Sequence, residues 1–255
     1  RSLIPATILE DIASPKGSIV LLGLGSDANV QDLEADLDPI SKRFIEKSLF
    51  SSYAIMKTEG FAEGVNFSNQ AFTSSFFRPN IVFLNLAEEK SATNDFMSII
   101  RESQRLELGA ILFAPHAKAM LGQRQTINVW LRERSPGWEV WDGKRNPNLA
   151  ILVAYKLMMN WKGSIRLITV CQKAEETEAA ERFLVRLAEE ARLPVDDFAV
   201  MSGKFQNIGL SRVKADINIF GLSPQANVQD YLTQAKRFDS TCLFIMDSGH
   251  ENAFA

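Results

Sequence analysis

This sequence is poor in the residues that usually carry chemistry. Its 255 residues include two histidines, His116 and His250, and two cysteines, Cys171 and Cys242. Both cysteines fall in apolar, strand-like runs, ITVCQ and TCLFIM. That setting implies buried, reduced thiols, and neither a disulfide framework nor a metal site. The histidines lack a third ligand at metal spacing, so they make no metal site either. The nucleophile elbow G-x-S-x-G and the phosphate loop G-x-x-x-x-G-K-[ST] are both missing. No catalytic residue, cofactor or metal is therefore assigned. No run of about 18 apolar residues is present to cross a bilayer as a helix. No secretory leader is visible. A net charge of -3 offers no basic footprint for nucleic acid and no polybasic patch for anionic lipid. The first residue is Arg1, which raises the expectation of a piece of something longer.

What the chain does have is rhythm. Residues 17–25, GSIVLLGLG, form a short apolar run closed by glycines, the pattern of a strand buried on both faces. A helix is expected over 30–49, with Leu33, Leu37, Ile40, Phe44 and Leu49 on one face and a kink or restart at Pro39. Strands are expected at 52–58, 80–86 and 109–113, separated by helices at 61–77 and 95–106. Further strands follow at 127–131, 165–170, 198–201, 215–220 and 241–246, with helices at 149–161, 175–193 and 228–238. Strands alternating with helices make a mostly parallel sheet with helices on both faces. The expected organisation is a lead-in segment at 1–16, a first α/β lobe at 17–125 and a second at 126–255. One continuous larger sheet is the other arrangement this rhythm allows.

Two features stand out. The stretch Thr126 to Trp161 holds all four tryptophans, Trp130, Trp138, Trp141 and Trp161. Trp138 to Trp141 is expected to form a hairpin with the preceding strand across the Pro136-Gly137 turn. Asn146 and Pro147 read as a cap and first residue for an almost wholly apolar helix, which must be covered by protein on most sides. The second feature is Gly23-Leu24-Gly25-Ser26-Asp27-Ala28, a G-x-G-x-x-A pattern after a buried strand. Gly23, Gly25 and Ala28 offer the alternative reading, a nucleotide-binding α/β module or a small α/β enzyme that uses this turn. The late start of the helix and the lack of an acid about 20 residues on weaken it, and a plain turn is the first reading.

Several segments, in order, resemble the C-terminal cytosolic domain of the cation–chloride cotransporters. Residues 77–82, FRPNIV, are similar to the family's Pro-Asn before an apolar strand. Residues 95–100 with Gly109-Ala110-Ile111 resemble its helix followed by a Gly-Val strand. Thr126-Ile127-Asn128-Val129-Trp130-Leu131 is similar to its Thr-Ile-Asp-Val-Tyr-Trp-Leu strand, with Asn128 in place of the aspartate. The apolar helix from Asn148 and the ending Gly249-His250-Glu251-Asn252-Ala253-Phe254 also match. The family's Asp-Asp-Gly-Gly turn is replaced by Glu133 to Gly137, and the long phosphorylatable insertion of animal members is missing. A prokaryotic-type member is implied. The resemblance implies two Rossmann-like or universal-stress-protein-like lobes and a non-catalytic regulatory and dimerisation domain. It implies a place on the cytoplasmic face of the membrane, with the protein's own transmembrane transporter domain and a second copy as partners.

Overall fold

The computed structural model describes residues 3–26, 29–75, 78–86, 93–140, 147–195, 197–210 and 213–254. Seven strands join in one sheet in the order β3-β4-β9-β8-β5-β6-β7, and two more, β1 and β2, pair separately. The elements are α1 (Ile4–Ala13), β1 (Ser18–Gly25), α2 (Val30–Glu46), β2 (Phe50–Lys57), α3 (Phe61–Phe72), β3 (Ile81–Asn85), α4 (Thr93–Arg105) and β4 (Gly109–Ala114). Then come β5 (Thr126–Leu131), α5 (Asn148–Trp161), β6 (Ser164–Cys171), α6 (Thr177–Glu190), β7 (Asp197–Ser202), β8 (Ile217–Gly221), α7 (Val228–Ala235) and β9 (Thr241–Met246). Every pairing is parallel except one. β9, the last strand, runs antiparallel to β4, with Leu112 opposite Phe244.

That antiparallel seam joins the two halves. β8 flanks β9 on one side as β3 flanks β4 on the other. The second half completes its sheet through β5, β6 and β7. In the first half β1 and β2 stand apart as a two-stranded parallel sheet, with Ser18 opposite Phe50 and Gly25 opposite Lys57. The larger sheet thus draws strands from both sides of residue 125. β4 and β9 are buried at every position, which explains their almost wholly apolar sequences, GAILFA and TCLFIM.

Helices cover both faces. One core holds Ile8 of α1, Ile151, Ala154 and Leu157 of α5, and Phe183 and Leu187 of α6, against Ile127, Val129, Leu167 and Leu243 of the sheet. The opposite core holds Phe96 and Ile100 of α4 and Val228 and Tyr231 of α7, against Leu112, Trp130, Phe220 and Phe244. The alternation along β5 is the cause. Ile127 and Val129 face one layer while Trp130 faces the other. Each fully buried aliphatic side chain of these layers contributes roughly 1.5–3 kcal/mol.

The structure corrects two local expectations. No hairpin follows β5, because β6 and β8 occupy both of its edges. Residues 132–140 instead run as a loop held by α6, where Glu176 accepts from Ser135 Oγ at 2.8 Å and Trp138 Nε1 at 2.9 Å. Those two donors hold the Glu176 carboxyl below its ordinary range. Trp141 and Asn146 lie outside the described residues. α2 continues through Pro39 without a restart; the proline is exposed, so water can take up the carbonyl that it leaves without a donor. Trp130 lies in one core and Trp138 and Trp161 in the other.

α5 is nonetheless buried as its composition demands, with Ile151, Val153, Ala154 and Leu157 nearly inaccessible. Much of its cover comes from the lead-in. α1 packs along it, and buried Asp11 accepts from Trp161 Nε1 at 2.9 Å and pairs with Arg124. Asn160 Nδ2 donates to the Asp11 carbonyl at 2.6 Å.

Candidate functional site

A cleft of about 620 Å³ opens at the carboxyl ends of β5, β6, β7 and β8. β5 carries β6 on one side and β8 on the other. The chain's winding therefore reverses between β5 and β8, and the loops that leave these strands diverge. Open parallel sheets hold their ligands in such a crevice. Trp130, Phe205, Phe220 and Tyr231 form the apolar wall, and Arg132, Glu133, Lys204 and Gln206 the polar rim.

The wall is rigid. The Trp130 ring stacks on Phe220 at 5.6 Å and meets Phe205 and Phe238 edge-on at 5.7 and 5.6 Å. Phe220 stacks in turn on Phe244 at 5.5 Å. A buried polar chain fixes the other end of the indole. Trp130 Nε1 donates to Asn218 Oδ1 at 2.7 Å, and Asn128 Nδ2 donates to the same oxygen at 3.0 Å and to the Val213 carbonyl at 2.6 Å. Asn218 Nδ2 donates to Ser240 Oγ at 2.8 Å. Asn128 is therefore a double donor, a role that an aspartate at this position could not fill. The Phe205 turn is held by Arg237, which lies over its ring at 5.1 Å and donates to the carbonyls of Phe205 and Gln206.

The rim is uneven in charge. Glu133 spends both carboxylate oxygens on Gln172, taking the backbone N–H at 3.1 Å and the side-chain amide at 3.0 Å. Arg132 and Lys204 are exposed and form no ion pair among the described residues. Gly203, at φ +121°, and Gly221 line the floor between them.

The β1–α2 turn looks different. A Cβ on Gly23 would lie 2.8 Å from Leu37 Cδ1, and one on Gly25 would lie 2.2 Å from Asn29 Oδ1 and 2.7 Å from Leu33 Cδ1. Close packing of α2 on β1 thus accounts for both glycines. Ala28 lies outside the described residues. The histidines serve separate local contacts. His116 Nδ1 accepts from Ala119 N at 2.9 Å, and His250 Nε2 lies 3.0 Å from Glu107 Oε2. Cys171 and Cys242 are free and buried, and burial pushes the Cys242 thiol up.

The C-terminal segment closes over the start of α5. Asp247 accepts from Asn148 N and Leu149 N, both at 3.0 Å, and so caps the helix from a distant strand end. Pro147 is the N-cap residue itself. Asn148 Nδ2 donates to the Glu251 carbonyl at 2.7 Å, and its Oδ1 accepts from Ala253 N at 3.2 Å. Burial pushes the Asp247 carboxyl up to about 7, aided by the Glu251 carboxylate and opposed by the two helix N–H donors. The unfolded carboxyl titrates near 3.8, so between these values the folded state holds the extra proton. Stability is therefore expected to fall as pH rises from about 4 to about 7, by about 1–2 kcal/mol after solvent screening. Urea unfolding at pH 5 and pH 8 tests this. Asp247→Asn should flatten the difference, and an unchanged profile would show that another group causes it.

The fold and its switch-point cleft define a doubly wound α/β protein. A universal stress protein from Archaeoglobus fulgidus DSM 4304 superposes at TM-score 0.61 with 10% identity, over 95% of this chain and 89% of that one. A functionally unknown protein from Pseudomonas aeruginosa PAO1 superposes at 0.60 with 10% identity, over 97% and 86%. At that identity the likeness is one of fold alone. The crystal structure of the cytoplasmic domain of a prokaryotic cation chloride cotransporter is far more similar, with TM-score 0.86 and 36% identity over 97% of this chain and 92% of that one. The models for the prokaryotic cation-chloride cotransporter C-terminal domain match as well, the first part over residues 4–121 and the second over 122–254. No curated protein matches. The chain belongs to the prokaryotic cation-chloride cotransporter C-terminal domain family, in agreement with the resemblance read from its segments.

Proposed function

We propose that this chain is the cytosolic regulatory and dimerisation domain of a secondary-active cotransporter that couples sodium or potassium to chloride or, as in distant relatives, a cation to an amino acid. The observation that carries this reading is the 36% identity to a cotransporter's cytoplasmic domain across 97% of the chain. The domain acts without catalysis, at the cytoplasmic face of the membrane, and its partners are its own transmembrane part and a second copy. Among the described residues no helix is long and apolar enough to cross a membrane. Two α/β lobes meeting near residue 125 suit this role, and the change from one family match to the next between residues 121 and 122 supports that division.

The isolated chain is expected to form a dimer whose population rises with concentration in light scattering. A strict monomer at high micromolar concentration would remove the dimerisation part of the proposal. Deleting the domain from the full transporter should change chloride-dependent rubidium or sodium flux in vesicles several-fold without changing the ion stoichiometry. Flux identical to that of the intact protein would remove the regulatory part.

A further inference from the structure

We propose that residues 248–254 form a proton-operated strap, docked on the N-terminus of α5 while Asp247 carries a proton and released when Asp247 loses it. The strap follows β9 directly and crosses the start of α5. Among the described residues no backbone–backbone hydrogen bond ties it to the sheet. Its hold is the side chain of Asn148, a residue 2% exposed. Asn148 Nδ2 donates to the Glu251 carbonyl at 2.7 Å, and Asn148 Oδ1 accepts from Ala253 N at 3.2 Å. Ala253 and Phe254 pack on the core that includes Leu149 and Ile151.

Two carboxyls meet at the root of this strap. Asp247 is half-buried, and both of its oxygens are taken by α5, Oδ2 by Asn148 N and Oδ1 by Leu149 N. Glu251 folds back from the strap and accepts from Ser248 N at 2.9 Å and Ser248 Oγ at 2.8 Å. Among the described residues Glu251 is the charged group that bears on Asp247, and it resists a second negative charge there. The first turn of α5 (Asn148, Leu149, Ala150) and the end of β9 (Ile245, Met246) bring no charge. His250 and Glu107 meet each other at the surface, 3.0 Å apart. Asp142, Lys144 and Arg145 precede α5 in sequence and lie outside the described residues. Burial first, then Glu251, raises the docked Asp247 carboxyl to about 7. A released, solvated Asp247 titrates near 3.8, so docking takes up a proton between these values and weakens as pH climbs through them.

The layout decides which part gives way. An Asp247 anion stays where it is, held by two N–H groups and the positive end of the α5 dipole. Glu251 is what is pushed, and with it the carbonyl that Asn148 grips. Gly249 stands between the two carboxyls at φ +97°, with nothing within 4 Å of a Cβ position, and supplies the pivot. A second proton on the His250 ring turns its contact with Glu107 into an ion pair, which also favours docking at low pH, but between two exposed groups it contributes little. The strap stands on these residues alone; only a link from cytosolic pH to transport rests on the function proposed above.

Amide hydrogen exchange of the full chain at pH 5 and pH 8, corrected for the intrinsic rate at each pH, tests the strap. The amides of Ser248 and Ala253 are expected to exchange about tenfold faster at pH 8, while those of β9 keep one corrected rate. Asp247→Asn should give the same rate at both pH values. Glu251→Gln, which keeps an acceptor for Ser248, should shrink the response, and His250→Ala should leave most of it. Equal corrected exchange at pH 5 and pH 8 in the unsubstituted chain would overturn the proposal. A response that survives Asp247→Asn would overturn the role of Asp247, and a rise shared equally by β9 would show loosening of the whole fold instead of a local release.

Discussion

Replacing Gly122 by alanine is expected to cost about 3–5 kcal/mol of folding stability. Gly122 sits at φ +57°, and a Cβ there would lie 2.1 Å from Asp216 Oδ1 and 2.8 Å from its Cγ. The carboxylate has no room to retreat, because it organises the strand entry. It accepts from the backbone N–H groups of Gln123, Gln125 and Thr126, each at 2.9 Å, and from Thr126 Oγ1 at 3.0 Å. Burial raises the Asp216 carboxyl, but these donors outweigh it and hold the group below its ordinary range. Displacing the carboxylate gives up several charge-assisted hydrogen bonds at once. Urea unfolding of Gly122→Ala, Asp216→Ala and the double variant provides the test. The double variant should cost clearly less than the sum, because the clash disappears with the carboxylate. Simple additivity would assign the loss to backbone strain alone.

Asn128→Asp is the second large effect, about 2–4 kcal/mol at pH 8. The resembling family carries an aspartate at this point, so the substitution looks mild. In this chain Asn128 is 1% exposed and donates to two oxygens, Asn218 Oδ1 and the Val213 carbonyl. A carboxylate there would face both oxygens without a proton to offer. Its pKa would be raised in the folded state by burial and by those oxygens. The penalty should therefore be small below the unfolded value near pH 4 and grow as pH rises. Unfolding curves at pH 4 and pH 8 measure it, and an equal loss at both would point to a change of shape instead of charge. Asn128→Ala separates the two, since it removes the donor without adding a charge.

Much of the fold could be read from the chain, because hydrophobic period reports burial directly. The strands 109–113 and 241–246 are apolar at every position but Thr241 and are buried at every position. α6 shows the inward set Ala180, Phe183, Leu184, Leu187 and Ala188 that its spacing demands. The family could be read too, since short segments such as Thr126 to Leu131 keep their order. Pairing was less legible. Nothing in TCLFIM says that β9 runs against β4, and nothing in GSIVLLGLG says that β1 and β2 leave the larger sheet. Period tells which face is buried, not which neighbour buries it.

The candidate cleft was hidden for a related reason. Arg132, Lys204 and Tyr231 come from three loops and helices that only the sheet brings together, and Glu133-Arg134 beside Arg132 looks like an ordinary solvated run. The visible motif, Gly23 and Gly25, drew attention to a different place, where the glycines make room for Leu33, Leu37 and Asn29. The family ending at Gly249 to Phe254 was recognisable as a motif but not as a device. The structure shows that Glu251 and Ala253 grip Asn148 while Asp247 caps α5.

The position of β9 has a consequence for biosynthesis. A ribosome releases this strand after every other strand of the sheet, yet it fills the slot between β4 and β8. Until it emerges, β4 and β8 each present an unpaired edge of backbone N–H and C=O groups to whatever is nearby. The halves cannot lock together during translation, so the nascent chain depends on a late, long-range closure of the slow kind. A stop codon anywhere before Thr241 would then leave a sticky sheet edge instead of a shortened but orderly protein, and such a product should be cleared or aggregate in the cell.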